Sequence, residues 1–198
     1  MSLRRLISAM ALILTSVLLC SCPPRNASNP AYTAQIMKSM KAMRAGDWVL
    51  YYVNKRLHVF MQVLKTDCKG VSIEYLTYYD RAPRQTSTIM RFNFDEVKHN
   101  LDSGNGIFGR VPYLEMNSSK ELIPIIERNI TIESTHWAIK TRNAAIDQWF
   151  SEEIPLWGII RQRRNDDYTL VIRSWGRAGE RIIWPDDMAP IVNLATNK

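Results

Sequence analysis

The chain has little of what small catalytic or disulfide-built proteins depend on. Three cysteines, three histidines and eight glycines are spread over 198 residues. His58, His99 and His136 lie far apart, without the H-x-x-x-H or H-E-x-x-H spacing that a local zinc site needs. No G-x-S-x-G elbow, phosphate loop or G-x-G-x-x-G turn occurs, and Gly104-Asn105-Gly106 lacks a strand–helix context. The adjacent acids Asp95-Glu96, Glu152-Glu153 and Asp166-Asp167, read as strand neighbours, point to opposite faces and make poor acid–base pairs. These absences argue against an enzyme and against a metal or organic cofactor. A bilayer-spanning run is also lacking. The apolar stretch Leu6–Leu19 has 14 residues, and at about 1.5 Å per residue it covers roughly 21 Å of a ~30 Å hydrocarbon core.

What is present is ordinary for a folded domain: 46% hydrophobic and 23% charged residues in a length that suits one domain. Residues 1–22 combine Arg4 and Arg5, the short apolar run and the exit Leu19-Cys20-Ser21-Cys22. A charged start, an apolar core and small residues at the exit make a secretory signal. The competing reading, a buried N-terminal helix, finds no amphipathic face in its favour.

The exit resembles the lipobox of bacterial lipoproteins, with Leu19 at −3 and Ser21 at −1 before Cys22. Cys20 at −2 departs from the usual pattern. The resemblance implies a signal peptide over 1–21 and a diacylglycerol thioether on Cys22. Two acyl chains at about 0.8 kcal/mol per buried CH₂ anchor stably. The expected location is the bacterial cell membrane or outer membrane, with the domain facing the periplasm or the cell exterior. A secreted protein cut elsewhere is the alternative. Residues 22–30, polar and proline-rich, read as a tether.

With Cys20 removed and Cys22 acylated, Cys68 is the remaining thiol and cannot form an intrachain disulfide. It stands in the turn-like Thr66-Asp67-Cys68-Lys69-Gly70, as a reactive thiol beside Lys69 or as an incidental turn residue. The formal charge of +7 becomes +5 once Arg4 and Arg5 are lost, with 24 basic residues against 19 acidic ones. The cluster Arg161-Gln162-Arg163-Arg164 is either a patch for anionic headgroups or a solvated hairpin end. The export route argues against nucleic acid as a partner.

Residues 31–185 are expected to form a single β-rich domain, with 186–198 as a tail. Tyr32, Ile36, Met40 and Met43 recur at helical spacing, predicting a helix over 31–44 with Asn29 as N-cap, Pro30 at N1 and Gly46 as C′ residue. Asp47–Val53, Leu57–Leu64 and Val71–Tyr79 alternate and are separated by short turns, which predicts an antiparallel meander. Thr88–Phe94 reads as a fourth strand and Arg110–Leu114 as an edge strand containing Pro112. Ser118–Ile126 has capping-box spacing and predicts about one helical turn, limited by Pro124. Asn129–Ser134, His136–Thr141, Ala145–Phe150, Leu156–Arg163, Tyr168–Trp175 and Arg181–Trp184 follow as a second meander. The expected fold is mainly β (α+β). It is a curved antiparallel sheet or half-barrel of nine or ten strands, with the N-terminal helix packed on its concave face.

Gly46-Asp47-Trp48-Val49 and the run from Trp149 through Pro155-Leu156-Trp157-Gly158 to Arg161 resemble the lipoprotein-carrier-like half-barrel class of exported bacterial proteins. Where that class has a small-residue turn upstream, this chain has Ser134-Thr135-His136-Trp137-Ala138. The resemblance implies a concave apolar face that holds acyl chains. Ile36, Met40, Met43, Trp149 and Trp157 are the expected ligand-binding residues, with Cys22 the lipidation site. The Met-rich helix face and the tryptophans serve equally well as packing. The function expected is therefore binding of a lipid or other amphipathic ligand; the alternative is a non-catalytic envelope structural or interaction protein with a filled core.

Overall fold

The structure, a computed structural model, describes residues 29–79, 82–106 and 109–184. The expected signal peptide, Cys22, most of the tether and the tail lie outside the described residues. No described helix is long and apolar enough to cross a membrane.

Over the described residues the chain is mainly β: antiparallel strands in one unclosed sheet, with two α-helices. Helix α1 (Pro30–Ala42) opens on the Asn29 cap, whose side chain accepts from the amides of Ala31 and Tyr32. β1 (Trp48–Val53), β2 (Leu57–Asp67), β3 (Gly70–Tyr79) and β4 (Ala82–Asn93) form one meander. Helix α2 (Phe94–Asp102) follows, and then the two-residue β5 (Asn105–Gly106). β6 (Gly109–Ile125), β7 (Ile130–Thr141), β8 (Ala145–Phe150), β9 (Ile159–Arg164) and β10 (Asp167–Gly176) form the second meander. The spatial order is β4-β3-β2-β1-β10-β9-β8-β7-β6-β5, so the two meanders are joined where β1 pairs β10. α2 carries the chain from β4 at one edge to β5 at the other.

Strand alternation separates two apolar faces. Val49 and Tyr51 of β1, Met61 and Val63 of β2, and Val71 and Ile73 of β3 join α1 and α2 in one buried cluster. Trp48, Leu50, Phe60 and Tyr78 point the other way and are covered by Ile182 and Trp184. β1 is buried on both faces, as suits the strand that joins the meanders.

Several expectations need correction. α1 ends at Ala42 with Met43 as its cap, and Gly46 (φ +91) serves a later turn. Asp95 and Glu96 lie in the first turn of α2, beneath the Asn93 cap, where acids favour the positive end of the helix dipole. Ser118–Ile126 is not helical up to Ile125: it continues β6, a long strand whose outer side, among the described residues, carries only β5. Pro124 is tolerated there because an edge strand leaves amides without ladder partners. Asn129–Ser134 and His136–Thr141 merge into β7 from Ile130 onward, and Arg181–Trp184 is a non-strand strap.

Candidate functional site

α1 lies on the sheet with its apolar stripe down. Ile36, Met40 and Met43 are at most 3% exposed and share the inner cluster with Trp157. The polar ties are specific. The Tyr32 hydroxyl donates to Gln148 Oε1 at 2.8 Å, and Trp137 Nε1 donates to Gln35 Oε1 at 2.6 Å. Exposed Lys38 pairs with Glu152 at 2.6 Å. Tyr32 also meets the rings of Trp137, Phe150 and Tyr113 edge-on, with centroids 5.2, 5.9 and 6.0 Å away. Burial pushes the Tyr32 phenol well above its ordinary value, reinforced by neighbouring Tyr113. Tyr51, Tyr75 and Tyr113 are raised for the same first reason.

Trp157 reaches this cluster through the β8–β9 corner. The Ser151 amide donates to Gly158 O at 2.8 Å and closes the loop, while Ile154, Leu156 and Trp157 turn into the core. The turn uses left-handed backbone at Leu156 (φ +60) and Gly158 (φ +72). A Cβ on Gly158 would sit 3.0 Å from Ser151 O and 3.1 Å from Ser39 Oγ of α1. The corner thus presses directly on the helix. Trp157 meets Phe92 edge-on at 4.8 Å and interacts with the Tyr75 hydroxyl.

Trp149 shares the buried cluster of the other four expected ligand residues, but its ring faces another way. Its strand neighbours Gln148 and Phe150 both meet Tyr32, so alternation sends Trp149 to the opposite face. There its ring stacks on His136 at 4.5 Å and its Nε1 donates to Glu121 Oε2 at 2.7 Å. The Arg161 guanidinium lies 4.2 Å over the same ring. Each His136 ring nitrogen faces a carboxylate oxygen at 2.9 Å, Glu121 on one side and Asp147 on the other. Arg163 binds Asp147 through Nε and Nη2. The Trp149 hydrogen bond is the main cause that holds the Glu121 carboxyl below its usual range, with His136 adding to it. For Asp147 partial burial pushes up, but the bonds from His136 and Arg163 outweigh it and the carboxyl is lowered. Sequence reasoning missed this network, because four strands must be in register before its members meet. The pairing of Arg161 and Arg163 on one strand face was legible.

Ser119 Oγ is 3.4 Å from His136 Nδ1. Glu121 holds the same nitrogen at the shorter distance, so the hydroxyl is not set up as an activated nucleophile. Among the described residues no group of three or more His, Cys, Asp or Glu side chains is placed to hold a metal. Cys68 is exposed in the β2–β3 turn.

Two of the cavities walled by described residues bear on the expected ligand site. One, of about 390 Å³, lies at the end of α1 beside Arg44, Asp47, Arg177 and Ala178. It surrounds a structural clasp, since buried Asp47 accepts from the amides of Arg44 and Ala178 and from Arg177 Nη1. The other, of about 600 Å³, is a groove between the β1–β2 and β9–β10 turns. Neither is walled by Ile36, Met40 or Met43.

No family model matches the chain and no curated protein matches it. Among solved structures the fold is similar to the hypothetical protein CT021 from Chlamydia trachomatis, at 10% identity and a TM-score of 0.44, over 81% of this chain and 99% of that one.

Proposed function

We propose that the chain is a lipid-anchored protein of the bacterial envelope whose non-catalytic domain holds a hydrophobic or amphipathic ligand, a lipid or acyl chain, between α1 and the sheet. The anchor in this reading is Cys22, on the cell membrane or the outer membrane. The sheet is a half-barrel and α1 is a lid on its concave face. One observation carries the reading: the surface that α1 covers is continuous, apolar and rich in methionine. Met37 and Met40 of the helix and Met43 at its cap share a cluster with Met61 of the sheet, and such side chains repack around ligands of variable shape.

Chain connectivity supports the curvature. A flat ten-stranded sheet at about 4.8 Å per strand would be roughly 43 Å wide. The link from Asn93 to Asn105 reaches about 24 Å at most, a nine-residue helix plus three extended residues. An edge-to-edge link that short favours a curled sheet.

A second reading draws on burial. Ile36, Met40 and Trp157 are at most 1% exposed, which suits a structural or interaction protein whose inner face is filled by its own side chains. Native mass spectrometry of the protein purified from membranes separates the two. A lipid mass beyond the covalent anchor supports ligand binding; an apolar-ligand-free protein that also fails to take up added fatty acid supports the filled core. Cys22→Ala tests the anchor: an exported variant that stays on membranes overturns the lipoprotein reading.

A further inference from the structure

We propose that the groove between the β1–β2 and β9–β10 turns is a site for anionic phospholipid headgroups, and that this end of the domain rests on the bilayer. The inference rests on the anchor reading above for its orientation, and on the groove itself for its chemistry.

The groove is lined by Lys55, Arg56 and Arg164 against one carboxylate, Asp167, with Asn54 and Asn165 supplying further polar groups. Lys55 is tied to Asp167 at 3.2 Å, so Arg56 and Arg164 provide the net charge. Both are exposed, and Arg142 is exposed on the β7–β8 turn next door. That turn is fastened to the β9–β10 turn, since the Asn165 amide donates to Ala145 O at 3.0 Å and the Ala145 amide to Asn165 Oδ1 at 2.9 Å. Asp166 is the other exposed acid of the β9–β10 turn. Both turns are tight: Asn165 and Asp166 form a two-residue loop between the paired Arg164 and Asp167, Asn54–Arg56 a three-residue loop between the paired Val53 and Leu57, and Asn54, Lys55, Asn165 and Asp166 all take left-handed backbone. The Asn54 amide donates to Thr169 O at 3.0 Å and locks one turn to the other strand pair.

α1 points its beginning toward this same end. Tyr32 touches Tyr113, which pairs Thr141 beside the β7–β8 turn, whereas Ser39, later in the helix, sits at the Gly158 corner toward the other end of those strands. From Cys22 to Pro30 the chain reaches roughly 27 Å when extended. A domain tethered there presents its basic turns, not its Gly158 corner, to the membrane. Surface electrostatics fades within about 8 Å at physiological salt, so the turns must touch headgroups to gain from it.

The test is amide hydrogen exchange on the acylated mature protein, from Cys22 onward, in nanodiscs of phosphatidylcholine alone or with added phosphatidylglycerol. Exchange at 54–56 and 165–168 is expected to slow several-fold on the anionic discs only, and to recover when salt rises from about 0.05 M to about 0.5 M. The pair Arg56→Glu and Arg164→Glu should abolish the slowing; both positions lie outside the left-handed backbone, and Arg56→Gln alone serves if the pair unfolds. Equal exchange on both discs overturns the proposal while the anchor reading stands. Slowing by free glycerol phosphate without a bilayer also overturns it, as the site then serves a soluble phosphate. If the protein leaves both discs, the anchor reading fails, and the same amides are read on phosphatidylglycerol liposomes added to the protein. Protection there supports the headgroup site, and its absence overturns it.

Discussion

The Trp48 indole occupies the space where a side chain on Gly176, its cross-strand partner, would begin: a Cβ there would lie 2.6 Å from both Cε2 and Nε1. This contact sits at the β1–β10 joint and supports the outer cluster. Trp48 stacks near Phe60, with centroids 6.0 Å apart, and Trp184 closes on Phe60 at 5.2 Å.

Gly176→Ala should therefore destabilise the domain by about 1–3 kcal/mol, as overpacking of a fitted core does. Urea unfolding followed by tryptophan fluorescence measures it. An unchanged midpoint would mean that the indole moves aside freely. Trp184→Ala in the same background should recover little, because the clash is with Trp48 itself.

Gly158→Val should cost more than about 1 kcal/mol, since a β-branched residue is strained at φ +72 and its Cβ meets Ser151 O and Ser39 Oγ. Thermal unfolding reads the loss. Gly179, with φ +84 and open space around its Cβ position, is the control: Gly179→Ala carries backbone strain alone and should cost less than Gly158→Val.

Alkaline pH should unfold the protein cooperatively. Tyr32, Tyr51, Tyr75 and Tyr113 hold their protons more tightly when folded than an exposed phenol does near pH 10. A raised folded pKa gives stability that is complete below the unfolded value and is lost as pH rises beyond it. Absorbance at about 295 nm should show these phenols ionising together with loss of the circular dichroism signal. Their ionisation in a still-folded chain would contradict the burial described here.

Acid has the opposite sign at the outer network. Glu121 and Asp147 are lowered in the fold, so they stabilise it above the ordinary carboxylate range, and that contribution disappears as pH falls through their folded values. His136→Ala should weaken the folded state at neutral pH and narrow its gap from the wild type below about pH 4. Urea midpoints across pH test this; a gap that stays constant would mean that His136 acts through packing on Trp149 alone.

Local signals in the chain were legible where they agreed with long-range pairing. Asn29-Pro30 and the spacing of Tyr32, Ile36, Met40 and Met43 mark α1, and alternation marks β1 to β3. α2 had a signal that went unread: Asn93 as cap, acids behind it, and Val97 and Leu101 four apart on one face. Ser118–Ile126 misled because a serine–glutamate spacing fits a helix start, while Ile123 and Ile125 in fact alternate across Pro124 in β6. Trp149 could not be assigned to a face without knowing which neighbour meets Tyr32. The His136 network is written in residues from Glu121 to Arg163, and register alone brings them together.

The joint between β1 and β10 also governs when the fold can be completed. Val49 cannot meet Trp175 until nearly the whole described chain has emerged, and until then β1 carries an unpaired row of backbone groups beside β2. Pairings so distant in sequence delay the completion of the fold, while the local hairpins of the first meander do not wait for them. Under the lipoprotein reading proposed above, in which the chain is exported before it folds, such lateness is an advantage: the last strand to arrive is the one that locks the two halves together.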